Sequence, residues 1–187
     1  MRREKKPRVS ARDWVEIALT ELSSHGPDAI TIDALCRRAG KTKGSFYAHF
    51  DSFDAFLAAL ATHWRARNTE TVMRDADAAA SPRDRLARLN AIAVRLDARL
   101  DQGMRKLAGK SPLIAAAVAK VDEMRIAYLA RLHQAAGGFP ARAAKDLATI
   151  EYAAYVGLPL IGPERGLDEL ERLHRTFTRL ISRPRHA

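Results

Sequence analysis

The chain of 187 residues has a single cysteine, Cys36, so no intrachain disulfide can form and nothing marks a secreted, disulfide-braced scaffold. It lacks any apolar run of about 18 residues, so no transmembrane helix is expected. No signal-peptide core follows the basic N-terminus, because Arg12, Asp13, Glu16 and Glu21 interrupt the stretch from Ala11 to Leu22. A soluble, cytoplasmic protein is therefore expected. Neither Gly nor Pro occurs between Gly44 and Pro82, so nothing forces a break or a flexible linker there. Strand-period alternation and internal repeats are absent. The histidines (His25, His49, His63, His133, His174, His186) are scattered, and no Cys-x-x-Cys or His-Glu-x-x-His spacing occurs. There is no P-loop, no Gly-x-Gly-x-x-Gly and no Gly-x-Ser-x-Gly. No metal, cofactor or enzymatic activity is expected.

What is present favours helices. Hydrophobic residues make up 47% of the chain and aromatics only 6%, with Ala, Leu and Arg dominant. These three lose little on entering a helix. The net charge of +10 favours an anionic partner. Its distribution is uneven: residues 1–10 carry five cations against Glu4, whereas residues 11–50 carry five cations and five acids. The excess sits in an N-terminal arm (Arg2, Arg3, Lys5, Lys6, Arg8) and in a diffuse arginine surplus that includes Arg183 and Arg185.

Ser10 is a helix cap, and Trp14, Val15, Ala18, Leu19 and Leu22 recur on one helical face until Gly26-Pro27 stops it. Thr31 caps a second helix with Ile32, Leu35, Cys36 and Ala39 inward and Gly40 at its end. Thr42 caps a third. Asp51 and Ser52 offer a cap for a fourth, which runs from Phe53 to about Asp77. Ser81-Pro82 opens a fifth helix whose stripe extends to Leu100. Gly103 and Gly109 bracket a short segment from Met104 to Ala108. Long helices then follow Ser111-Pro112 and Pro140, and a last one spans Leu167 to about Ser182. The fold expected is all-α with about nine helices. An N-terminal three-helix domain (residues 1–52, basic arm included) precedes a larger helical bundle (residues 53–187).

The order helix, Gly40 turn, helix is a helix-turn-helix layout, in which the second helix can enter a DNA major groove. Thr31 stands at a helix N-terminus, whose free N–H groups suit a phosphate as well as an ordinary cap. Thr42, Lys43 and Ser45 open the third helix, with Lys43 matched to guanine O6 or N7. Gly44 permits close approach to a duplex and costs helix stability of about 0.5–1 kcal/mol relative to Ala. Phe46 and Phe50, four apart, are assigned to packing against Trp14 and Leu35. Cys36 reads as an inert core thiol.

The run Thr42-Lys43-Gly44-Ser45-Phe46-Tyr47-Ala48-His49-Phe50, with the two helices before it, resembles the DNA-binding domain of TetR/AcrR-type transcriptional regulators. The resemblance covers residues 10–60; the later helices match only in number, length and order. It implies that Tyr47 and His49 contact phosphates and sugars, which completes a DNA-binding set of Thr31, Lys41, Thr42, Lys43, Gly44, Ser45, Tyr47 and His49. Lys41 replaces the family's small apolar turn residue, and Phe53 stands where the family carries a phosphate-reaching Lys. The resemblance also implies a small-molecule effector pocket in the larger part, with Trp64, Met104, Leu107, Met124, Tyr128, Tyr152 and Tyr155 as lining and Glu151 as a polar partner. Ordinary core packing is the competing role for each of these.

A homodimer through the last two helices is implied as well, built on Ala154, Gly157 and Leu158 and on the stripe Leu170, Leu173, Phe177, Leu180 and Ile181. The function that follows is a repressor bound as a dimer to a palindromic double-stranded operator and released by a small-molecule effector. The alternative, motivated by Lys41 and Phe53, is a relative that has lost operator binding and acts as a ligand-binding or scaffold protein.

Overall fold

A computed structural model describes residues 9–162 and 166–181. The basic arm and the Arg183/Arg185 pair lie outside the described residues. The elements in chain order are α1 (Ala11–His25), α2 (Ile32–Ala39), α3 (Lys43–Tyr47), α4 (Phe53–Arg65), a π-helical turn (Ala66–Glu70), α5 (Thr71–Asp77), α6 (Pro82–Ala93), α7 (Ala98–Ala108), α8 (Pro112–Gly137), α9 (Ala141–Ile161) and α10 (Leu167–Ile181). Among the described residues there is no strand, and the fold is all-α. Because α4, the π turn and α5 run on without a break, they amount to the one long helix expected from residue 53 to 77. Among the described residues, no helix is long and apolar enough to cross a membrane.

Local chemistry sets the first boundaries. The Ser10 hydroxyl accepts from the Asp13 N–H at 3.2 Å, and the Asp13 carboxylate accepts from the Ser10 N–H at 2.8 Å, a reciprocal capping box. The anticipated stripe Trp14, Val15, Ala18, Leu19 and Leu22 is the buried face of α1. Thr31 and Thr42 cap α2 and α3 by accepting from the N–H groups of Ala34 and Ser45 at 3.2 and 3.3 Å. Gly40 ends α2 at φ 63°, a left-handed conformation that side chains disfavour.

Two boundaries differ from the sequence expectation. The stripe read as one helix to Leu100 stops at Ala93, and the Asp97 side chain restarts the chain as α7 by accepting from the Arg99 N–H at 3.0 Å. Gly103, read as a bracket before a short segment, lies inside α7. The reason is tertiary: a Cβ on Gly103 would sit 2.8 Å from Leu22 Cγ and 2.9 Å from the Leu22 carbonyl oxygen. Here glycine is a packing residue that lets α7 lie directly against α1.

The described residues form two compact units. The first comprises residues up to 65 and 97–119, the second 66–96 and those from 120 onward. In the first, α1 is the centre: α2, α4 and α7 all pack on it. Ser23 at its end donates to Asp97, and Lys110 pairs with Asp28. Trp14, Phe46, Phe56, Leu60, Trp64, Met104 and Ile114 are fully buried there.

In the second unit, Val72, Ala76, Leu89, Tyr128, Leu129, Leu132, Ala148 and Tyr152 form a continuous core. The π turn is tied to α8 by Arg125, which donates to Thr69 Oγ1 at 3.1 Å and to the Asn68 carbonyl at 3.2 Å. Tyr128 donates to Asp77 at 2.8 Å. Burial, with the neighbouring Asp77 carboxylate, pushes that phenol well above its ordinary pKa.

Replacing Gly103 with Ala tests the α1–α7 contact. Alanine gains about 0.5–1 kcal/mol in an unstrained helix, but overpacking against a backbone carbonyl costs about 1–3 kcal/mol. Denaturant unfolding is expected to show a net loss of stability; a neutral or stabilising Gly103→Ala contradicts the contact.

Candidate nucleic-acid interface

The helix expected to present side chains to DNA, α3, has five residues. Its position rests on Phe46, which is fully buried. The Phe46 ring meets Trp14 edge-on at 5.3 Å, Phe50 at 5.2 Å and Phe56 at 5.1 Å, within the range in which aromatic pairs attract. Phe53 extends this cluster by packing on Phe56 at 5.8 Å. Both rings belong to α4, so this contact lies within that helix, and Phe56 carries it on to Phe46 of α3. Leu35 is buried, and Cys36 is nearly so; burial raises the Cys36 thiol pKa, which keeps it protonated.

The opposite side of this layer is open. Thr31, Thr42, Lys43, Gly44, Tyr47 and His49 are exposed, and Lys41 and Ser45 are half-buried. The eight residues singled out in the sequence therefore lie on α2, α3 and the turns that flank them, with none in the core. A Cβ on Gly44 would meet only Thr42 Oγ1, at an ordinary 3.7 Å. The fold does not require glycine at that position.

One partner on this surface escaped the sequence reading. Lys43 Nζ lies 2.8 Å from Asp33 Oδ1, both side chains being exposed. The bond to Asp33 and its charge raise the Lys43 pKa, so the ammonium stays protonated. An exposed pair of this kind adds little stability; its effect is to direct Lys43 across the gap between α2 and α3. The ten-residue separation of Asp33 and Lys43 spans the Gly40 turn, so no helical spacing rule flags it. Arg38 joins Glu21 at 2.8 Å and ties α2 to α1; His63 joins Glu16 at 2.8 Å and ties α4 to α1.

Residues 15–60 match the family of bacterial regulatory proteins of the tetR type. The N-terminal domain is therefore similar to that of TetR-type regulatory proteins. No curated protein matches it in sequence. The regulatory protein TetR from Rhodobacter sphaeroides is 24% identical, with a TM-score of 0.74 over 91% of this chain and 98% of that one. A protein described as a transcriptional regulator from Saccharomonospora viridis, in complex with choline, is 19% identical, with a TM-score of 0.70 over 89% and 94%. Salmonella enterica GusR is 18% identical, with a TM-score of 0.67 over 95% and 97%. At these identities the likeness is one of fold, and it extends beyond the N-terminal domain over most of the chain.

The residues expected to line an effector pocket divide between the two units. Trp64, Met104 and Leu107 are core residues of the first. Met124, Tyr128, Glu151, Tyr152 and Tyr155 belong to the second. There Tyr152 and Tyr155 stack at 6.0 Å, and the Tyr152 hydroxyl donates to Asp122 at 2.6 Å while accepting from Arg125 at 3.2 Å. Glu151 is buried and its Oε2 lies 2.6 Å from His133 Nε2. These polar groups have partners inside the fold. Among the described residues, no group of His, Cys, Asp and Glu could hold a metal ion.

Stability should separate the two sides of α3. Phe46→Ala is expected to lose about 3–5 kcal/mol, and Tyr47→Ala, at a half-exposed ring, less than about 1 kcal/mol. Equal losses on urea unfolding would show that Tyr47 is a packing residue as well.

Proposed function

We propose that this regulator is a repressor that binds a palindromic operator as a homodimer and leaves it when a small molecule binds. The observation that carries the DNA reading is an exposed, donor-rich surface at Thr31, Thr42, Lys43, Tyr47 and His49, braced from behind by Phe46. Gly44 supports it further. A helix tolerates glycine at a cost, and the interior offers no reason for one, so the space it leaves outward is the gain. Lys43 and the hydroxyls of Thr42 and Ser45 take base edges; Thr31, Tyr47, His49 and Lys41 take the phosphate backbone.

The dimer reading draws on α9 and α10. Ile150, Leu160 and Ile161 of α9 and Leu167 and Leu180 of α10 are exposed apolar residues. A Cβ on Gly157 would meet nothing within 4 Å, which leaves room for a partner helix. Two copies related by a two-fold axis present two α3 helices to successive major grooves, roughly 34–36 Å apart. The effector reading takes support from the choline complex of the Saccharomonospora viridis relative in fold. Release then follows if the ligand favours one separation of the two reading heads over the other.

Genomic DNA captured on the protein and sequenced is expected to yield a two-fold symmetric site. Lys43→Ala should cost about 1–3 kcal/mol of operator affinity and relax preference at one base position. The double change Lys43→Ala with Tyr47→Ala should leave only salt-sensitive, sequence-independent binding. Retained specific affinity in that double variant overturns the assignment. Asp33→Asn removes the acid that competes with DNA for Lys43; anisotropy titrations should show tighter non-specific binding and a steeper salt dependence.

A further inference from the structure

The second unit contains a half-open cavity of about 1180 Å³, larger than the ~300–1,000 Å³ usual for small-ligand sites. None of the eight residues expected to line an effector pocket contributes to it. Its walls come from α6, the end of α8 with the following loop, and α10. Leu86, Val94, Ala136, Phe139 and Pro140 give it an apolar lining.

The charged groups on those walls are one-sided. Arg83, Arg95, Arg175 and Arg179 face a single carboxylate, that of Glu171. Glu171 is shared by Arg95 at 3.2 Å and Arg175 at 3.4 Å. Arg83 spends only its Nε, on the Ala136 carbonyl at 3.3 Å. Arg179 has no ion-pair or hydrogen-bond partner among the described residues. The four guanidinium groups exceed the one carboxylate by three positive charges. Burial lowers the His174 pKa, which favours its neutral form.

His133 adds a specific polar element. It is 2% exposed and lines the cavity, with its Nε2 fixed by Glu151 and its ring edge-on to Phe139 at 6.3 Å. Its second ring nitrogen has no hydrogen-bond partner among the described residues. A ring nitrogen on the cavity wall without a protein partner is a place where a ligand atom can complete the bonding.

We propose that this cavity binds an amphipathic anion, an apolar chain ending in a carboxylate or phosphate, with Arg83 and Arg179 taking the head group. A cationic ligand is disfavoured by the same arginines, and the one buried acid nearby, Glu151, is committed to His133. Guanidinium groups match both head groups with paired N–H donors. The assignment of this cavity as the effector site rests on the repressor reading above; ligand binding itself does not.

The test uses the full chain without DNA and four probes below their micelle concentrations: dodecanoate, dodecyl phosphate, dodecyltrimethylammonium and dodecanol. Isothermal titration is expected to show at least one anion binding tenfold or more tighter than the ammonium and the alcohol. The comparison of the two anions identifies the head group. Arg83→Ala with Arg179→Ala should weaken that binding at least tenfold, both side chains being exposed and peripheral to the core. Ala91→Trp, at an exposed position on the α6 wall, should block it by filling the space. Equal affinity for the ammonium, no binding of either anion, or anion binding that survives Ala91→Trp overturns the proposal. Each of those results leaves operator binding untouched, and a failure of operator binding leaves this assay intact.

Discussion

The burial of Phe46 is the constraint on which the proposed DNA-reading surface depends. A helix of five residues cannot hold itself together in water, because nucleation costs more than so few hydrogen bonds return. What holds α3 is one aromatic side chain inserted among Trp14, Phe50 and Phe56. Once that ring is fixed, the residues on either side of it in sequence, Ser45 and Tyr47, turn outward with Lys43 and Gly44. The packing face and the reading face are therefore two aspects of one short helix. Phe53 belongs to the same arrangement. Its contact with Phe56 strengthens the brace at a position where the family usually places a phosphate-reaching Lys.

The brace continues through α1. Trp14 and Leu22 lie on the same buried stripe. The first anchors α3 through Phe46; the second accepts α7 at Gly103. A residue inserted from α3 and a helix laid down from residues 98–108 thus share one scaffold helix. This places α7 in the same compact unit as the DNA-reading surface, beyond the three helices that the motif itself defines.

The parts legible in the sequence were those governed by local rules. Ser10, Thr31 and Thr42 are caps by residue type, Gly40 is a stop, and the buried face of α1 follows from 3.6-residue periodicity. Asp97 and Gly103 were misread because their roles are tertiary. A glycine inside a helix is a breaker by propensity, and only the nearness of Leu22 shows why it is there. The exposed face of α3 was legible because a motif fixed the spacing of its buried residue, Phe46. Asp33 was not, since its partner lies across a turn. The cavity was illegible for a similar reason: Arg83, His133 and Arg179 are far apart in the chain, and no spacing connects them.

The most direct measurement of the account is native-state hydrogen exchange, residue by residue, across α1, α3, α4 and α7. If Phe46 locks α3 to α1, the amides of Phe46 and Ala48, bonded to Thr42 and Gly44 carbonyls, exchange only through the same opening that exposes α1 and α4, and α7 opens with them. Exchange of α3 at a free energy near zero, while α1 and α4 remain protected, would show that the reading helix is not held by the core and would contradict the account.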